Sequence, residues 1–294
     1  HGPDVGLKML SGGARLAVET SGLTWCQIHA VGLGSPGTMD LQQGLLLEPH
    51  NLPGWYYLPI RARLAEILDK PTILQNDANA AAFGEYWAGA GRGTVSLVLF
   101  TLGTGIGCGI VENGRLIEGR HSHGAECGHL IIQVENGREW PKGYFGRLEA
   151  YASATALVKR AMEALERDPG EPSLLRDYLA KNDVTSKTIN DAAEAGDHLA
   201  RRLMRETARY LAVGAVNLMH TINPDLVLFS GGMIAAGPKF LEHIRSDIRE
   251  MAFPIPAAKT RVEYAELGVE AGMIGAAGCA RQAFGPRSAL GPEP

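Results

Sequence analysis

Gly103, Gly105, Gly107 and Gly109 fall on every second residue of the stretch Phe100-Thr101-Leu102-Gly103-Thr104-Gly105-Ile106-Gly107-Cys108-Gly109-Ile110. Read as one strand, this stretch points successive side chains to opposite faces, so its glycines strip one face bare. A bare face lets a ligand come against the backbone itself. With hydroxyls supplied by Thr101 and Thr104, the ligand that suits this face best is a phosphate. The competing reading is a tight hairpin whose glycines serve packing. A dinucleotide-binding turn is excluded, because the spacing G-x-G-x-x-G is absent and the residues after the glycines read as strand, not helix.

Three polar clusters supply the groups a polyhydroxylated substrate would need: Asn76-Asp77-Ala78-Asn79, Glu126-Cys127-Gly128-His129 and Leu148-Glu149. Asp77 sits at a strand end and a helix start. It can serve as an N-cap that accepts an amide hydrogen bond, or as a base that accepts the proton of a substrate hydroxyl. The two roles are compatible, since a capped carboxylate stays ionised. Glu126 and His129, three apart, share one side of a helical turn. Hydrogen bonding to sugar hydroxyls ranks first for this pair, a polar surface turn second, and a metal site with His121 and His123 third. A di-iron bundle would need the pair twice, and the mixed set lacks zinc-ligand spacing. Ser230-Gly231-Gly232 comes directly after an apolar strand and suits either a nucleotide, through accessible amides, or a plain connection of small residues. The small-residue run Ala271 to Gly278 reads as close helix packing rather than a ligand contact. Together the clusters suggest phosphoryl transfer to a polyhydroxylated small molecule.

The elements that must position these groups alternate between helix and strand. The pattern predicts helices over residues 4–22, 59–68, 77–90, 148–167, 199–222 and 272–283. It predicts strands over 28–33, 45–47, 72–74, 95–102 and 226–229, with strand continuing from Cys108 to Ile117 around an Asn113-Gly114 hairpin turn. Asn51 to Trp55 and residues 119–147 read as irregular, and the last ten residues as frayed. Hairpins mixed with strand–loop–helix units imply an α/β chain in two lobes rather than a plain doubly wound sheet.

The chain of 294 residues is long enough for two domains, and its 45% hydrophobic and 20% charged content is that of a globular protein. A net charge of −4 without any Lys/Arg-rich run argues against a nucleic-acid partner. No apolar stretch has the length of a membrane span, and no signal peptide opens the sequence. Cys26, Cys108, Cys127 and Cys279 are scattered, which disfavours a disulfide framework and suits a reducing cytoplasm.

Taken in order, seven stretches resemble the ROK family of sugar kinases, and its bacterial glucokinases most. They are Gly34-Ser35-Pro36-Gly37, Asn51-Leu52-Pro53-Gly54-Trp55, Asn76 to Ala81, Thr101 to Gly107, Ala125 to His129, Leu148-Glu149-Ala150 and Pro224 to Gly232. The resemblance covers nearly the whole chain. It implies an α/β, two-lobed, actin-like ATPase (ribonuclease H-like) fold with the active site in the interlobe cleft. Residues 1–88 would form a small lobe, completed by a C-terminal helix over 276–294, and residues 89–275 a large lobe. The implied activity is ATP-dependent phosphorylation of a hexose, with Mg2+; the loop Asn51 to Trp55 leans toward glucose. By the same resemblance Asp77 is the general base. Asn51, Asn76, Glu126, His129 and Glu149 hold the sugar's other hydroxyls. Thr101, Gly103, Thr104 and Gly105 lie along the ATP phosphates, and Gly231 and Gly232 border the adenosine.

The sequence departs from the family pattern in two places. The family's zinc loop resembles C-x-C-G-x-x-G-C before Leu-Glu. Here Trp140, Lys142 and Arg147 replace the three cysteines, while Gly143, Gly146 and Leu148-Glu149 remain. The expectation is a loop without structural zinc, held by packing of Trp140, Tyr144 and Phe145, with His129 released from its usual bond to zinc. The second departure is the absence of the D-x-G-x-T hairpin that precedes the stretch aligning with His1-Gly2-Pro3. A sequence that begins late is the expectation here, because a small lobe lacking those strands would expose a sheet edge. Two other functions compete: a sugar-responsive repressor of the same family, disfavoured by the acidic balance and by the lack of room before residue 28 for its N-terminal helix-turn-helix, and a non-catalytic sugar-binding protein. A homodimer is the general expectation for an oligomer.

Overall fold

Pro3 opens the first helix, α1 (Pro3–Thr20), where its missing N–H leaves no intrahelical bond unmade. The structure is a computed structural model and describes residues 2–49 and 52–285. From α1 the chain passes through β1 (Val31–Ser35), β2 (Met39–Asp40), β3 (Leu45–Leu46), α2 (Ile60–Leu68), β4 (Thr72–Asn76) and α3 (Asp77–Ala88). Next come β5 (Ser96–Leu102), β6 (Ile106–Glu112), β7 (Arg115–Leu116), α4 (Glu149–Ala152), α5 (Ala154–Arg167), α6 (Leu175–Ala180), α7 (Ser186–Glu194) and α8 (His198–Ile222). The last elements are β8 (Leu226–Ser230), α9 (Gly237–Met251), α10 (Pro254–Lys259), β9 (Arg261–Tyr264) and α11 (Ala271–Phe284). No helix among the described residues is long and apolar enough to cross a membrane.

The chain divides into two compact units, one holding the described residues of 1–93, 109–125 and 269–294, the other 94–108 and 126–268. In the first unit β1 and β4 pair in parallel, with Val31 opposite Thr72 and Ser35 opposite Asn76. The helix α2 repeats Ile60, Leu64 and Leu68 on one stripe, and that stripe joins Leu7, Leu33 and Leu74 in a core. The run that opens α11 is a packing surface, as expected. A Cβ on Gly84 of α3 would lie 2.3 Å from the Ala271 carbonyl oxygen, and one on Gly275 of α11 would lie 1.6 Å from that of Ala80. A Cβ on Gly32 of β1 would likewise lie 1.9 Å from the Ala276 carbonyl oxygen. Only glycine permits backbone to meet backbone this closely.

In the second unit β5, β8 and β9 run parallel, with Thr101 opposite Ser230. The strands β5 and β8 are buried along almost their whole length, which is why their apolar runs do not alternate. Phe100 and Phe229 stack between them at 5.5 Å. The long helix α8 starts on Asp197, which accepts from the Ala200 amide at 2.7 Å, and stops at Asn223 in the left-handed conformation.

Two expectations are corrected. The glycine stretch is not one strand: β5 ends at Leu102, Gly103-Thr104-Gly105 turns, and β6 starts at Ile106. The Gly103 amide donates to the Gly105 carbonyl at 3.0 Å to close that turn. Buried Leu102 and Ile106 anchor the strands on either side, and the three residues between them bring no large side chain that would bury itself in an extended run. The four glycines therefore share no single bare face. The helix expected over 148–167 is broken at Ser153, whose Oγ accepts from the Ala156 amide at 3.1 Å and so caps α5. The Asn113-Gly114 turn joins β6 to β7 as expected, with both residues at positive φ.

Candidate active site

Asn76, not Asp77, caps α3. The Asn76 Oδ1 accepts from the amides of Ala78 at 2.9 Å and Asn79 at 3.2 Å. This corrects the simplest reading of Asp77 and frees most of its carboxylate, of which one oxygen accepts from the Ala78 amide at 2.9 Å. The carboxyl reaches the surface, yet the protein around it excludes enough water to push its pKa above the ordinary carboxylate range. The Ala78 amide opposes that shift and is outweighed. A carboxylate with raised basicity at the end of a buried strand is suited to accept a proton. Because Oδ1 of Asn76 is taken by the helix, its Nδ2 donors are what it can offer a ligand.

Glu149 is the first residue of α4 and comes after Leu148, which is fully buried. Its Oε2 accepts from the Ile106 amide at 2.7 Å, and its Oε1 accepts from the Trp140 indole at 3.1 Å. The same carboxylate lies against Gly105, where a Cβ would stand 2.3 Å from Oε2. Gly105 thus makes room for Glu149. Gly109, in the other unit, makes room for α3, since its Cβ would stand 2.5 Å from that of Ala82. Packing explains these two glycines. Gly103 differs: nothing lies within 4 Å of the position its Cβ would take.

Glu126 precedes and His129 ends a single 3-10 turn, Cys127–His129, closed by the His129 amide on the Glu126 carbonyl at 3.0 Å. Cys127 and Gly128 are buried, and Glu126 and His129 are exposed. Gly128 is needed because its Cβ would fall 2.0 Å from the Ile106 carbonyl oxygen. His129 is not left without a partner: Arg147 Nη1 stands 2.9 Å from its Nδ1. The expected aromatic packing does not hold the adjoining loop, because Tyr144 and Phe145 are 50% and 58% exposed. Hydrogen bonds do so instead, from Trp140 to the Tyr144 carbonyl at 2.8 Å, Gly146 to the Arg138 carbonyl at 3.0 Å, and Gly143 to Glu139 Oε1 at 2.7 Å. No group of three or more His, Cys, Asp or Glu side chains among the described residues could hold a metal ion.

A nucleotide would find open backbone in the second unit. Thr101, at the end of β5, pairs with Ser230, at the end of β8, so Gly103 and Gly231-Gly232 continue from neighbouring parallel strands. The crevice beyond such strand ends is where open α/β sheets receive ligands. Gly231 has φ +91°, and its Cβ would lie 2.4 Å from the Leu102 carbonyl oxygen, so only glycine fits. Gly232, like Gly103, faces open space. Thr104 is exposed at the turn. Asn51 lies outside the described residues. Sequence reasoning misses Arg147 as a partner of His129 and Trp140 as a partner of Glu149. In sequence Arg147 reads only as a lost cysteine and Trp140 as a lost cysteine and a packing residue, and no local pattern pairs them with residues 18 and 9 positions away.

The ROK family's sequence profile matches residues 18–283. A glucokinase of Halalkalibacterium halodurans is 36% identical over 245 residues, 83% of this chain and 74% of that protein. The crystal structure of a ROK hexokinase from Thermus thermophilus superposes with a TM-score of 0.82 at 32% identity, over 96% of this chain and 88% of that one. A Streptomyces griseus ROK glucokinase, crystallised with glucose and AMPPNP, gives a TM-score of 0.74 at 32% identity, over 94% and 88%. The architecture is thus the actin-like ATPase fold of the ROK kinases, and the chain belongs to the ROK family.

Proposed function

We propose that this protein is an ATP-dependent hexokinase that phosphorylates glucose at its 6-hydroxyl. The observation that carries the reading is Asp77, a carboxylate relieved of capping by Asn76 and made more basic by its surroundings. Asp77 would take the proton of the attacking hydroxyl as its oxygen bonds to the γ-phosphorus of ATP and ADP leaves. Phosphoryl transfer asks little covalent chemistry of the protein and much positioning. Glu126, Glu149 and His129, with Asn76 and Asn51, would engage the remaining hydroxyls. Gly103, Thr101, Thr104 and Gly105 would run along the phosphates, and Gly231 and Gly232 along the adenosine. Mg2+ carried on the phosphates would neutralise their charge, in keeping with its preference for phosphate and water oxygens. The relatives' glucokinase activity and the Streptomyces griseus complex support glucose and a nucleoside triphosphate as the substrate pair.

The test is a coupled ADP-release assay with Mg-ATP and a panel of hexoses. Glucose-dependent turnover is expected, with Asp77→Asn losing about 10²–10⁴-fold in kcat while still binding glucose. Undiminished kcat in that variant would remove Asp77 from the mechanism, and tight hexose binding without turnover in the wild type would favour a non-catalytic sugar-binding protein.

A further inference from the structure

Segments 130–132 and 146–148 lie side by side: the Leu148 amide donates to the Leu130 carbonyl and the Ile132 amide to the Gly146 carbonyl, each at 2.8 Å. Gly146 allows this approach, with φ +71° and a Cβ position only 1.8 Å from the Gln133 carbonyl oxygen. The pairing carries Arg147 back to His129. The guanidinium carbon then sits 3.6 Å from the centre of the Tyr144 ring, and Nη1 sits 2.9 Å from His129 Nδ1. Stacking and hydrogen bonding together fix the fork in one orientation.

A guanidinium has no acceptor and keeps its protons at any working pH. With Arg147 donating in this contact, His129 Nδ1 is the acceptor, which places the ring's N–H on Nε2. We propose that Arg147 is a positioning residue that holds His129 as a fixed Nε2–H donor toward a hexose hydroxyl. This rests on the sugar-kinase reading. The pairing supplies half of what a hydroxyl needs: His129 donates to its oxygen, and a carboxylate such as Glu126, on the same turn, accepts its proton. The cationic partner also polarises the ring, which strengthens its donated hydrogen bond.

The experiment measures hexose Kd by calorimetry, without nucleotide, for the wild type, Arg147→Met, Arg147→Lys, His129→Ala and the Arg147→Met/His129→Ala double variant. Arg147→Met should weaken glucose binding roughly tenfold, and Arg147→Lys should recover part of the loss because an ammonium also donates to Nδ1. In the His129→Ala background Arg147→Met should add nothing, since the two act as one unit. Losses that multiply instead would mean that Arg147 acts through loop structure alone, and would overturn the proposal. Long-range imidazole 15N spectra of the ligand-free protein give a readout independent of sugar. Nδ1 of His129 should resonate as an unprotonated, hydrogen-bonded nitrogen at pH 8 and move in Arg147→Met. A protonated Nδ1 in the wild type would overturn the proposal even if the enzyme turns over glucose. Failure of the kinase reading would appear separately, as an absence of ADP release with Kd values and spectra as expected.

Discussion

Trp140 donates its indole N–H to Glu149 Oε1 across 3.1 Å, while the Ile106 amide holds the other oxygen at 2.7 Å. The carboxylate is clamped from both sides, and its remaining lone pairs are aimed by the protein. Trp140→Phe keeps an aromatic ring and removes the donor. It should raise the glucose KM about fivefold, the effect of about 1 kcal/mol, with kcat nearly unchanged. Steady-state kinetics at saturating ATP check this; a fall in kcat at constant KM would count against a sugar-binding role for Glu149.

Gly105 and Gly109 should respond differently to alanine, although they sit four residues apart in one motif. At Gly105 the new methyl meets the movable end of Glu149, so Gly105→Ala should leave thermal stability nearly intact and weaken sugar binding. At Gly109 it meets the Ala82 side chain and, 2.7 Å away, the Ala78 carbonyl oxygen. There overpacking should destabilise the protein by about 1–3 kcal/mol. Urea unfolding and glucose titration of the two variants separate the outcomes.

The raised pKa of Asp77 has a definite sign in both activity and stability. Activity requires the ionised form, so kcat/KM should fall as pH drops through a value above the ordinary carboxylate range, and Asp77→Asn should erase that limb. For stability the direction reverses. A carboxyl whose folded-state pKa is raised favours folding while protonated and loses that contribution as pH rises through the folded value. At pH 7 Asp77→Asn should therefore melt no lower than the wild type, and differential scanning calorimetry would reveal a lower Tm if burial were not the cause of the shift.

The loop from Trp140 to Glu149 is held by backbone bonds and by Arg147, with no cluster of metal-ligating side chains among the described residues. Purified protein should carry substoichiometric zinc by elemental analysis. Incubation with EDTA should leave Tm and glucose affinity where they were. Stoichiometric zinc, or a loss of Tm on chelation, would contradict this account of the loop.

Much of the architecture is legible in the sequence because strongly periodic segments declare themselves. The apolar runs of β5 and β8 and the amphipathic length of α8 appear within a residue or two of where pattern alone puts them. The glycine stretch misleads for a physical reason: alternation predicts one bare face only if the strand continues, and three small residues between two buried anchors turn instead. Asp77 is legible as a candidate base, but its freedom is not, since only geometry shows that Asn76 takes over the cap. Arg147 cannot be read as a partner of His129, because a contact across 18 residues leaves no periodic trace.

The seam between α3 and α11 is made of backbone against backbone at Gly84 and Gly275, and Gly32 of β1 meets α11 in the same way. Where backbone meets backbone there is no side chain to repack, so a methyl added at these glycines must shift a whole element, and α3 carries Asp77 at its first turn. In a saturation screen for growth on glucose, Gly32, Gly84 and Gly275 should therefore score as loss-of-function alleles alongside Asp77. Carrying no functional group of their own, they would show that heritable variation can silence this enzyme by displacing its base as effectively as by deleting it.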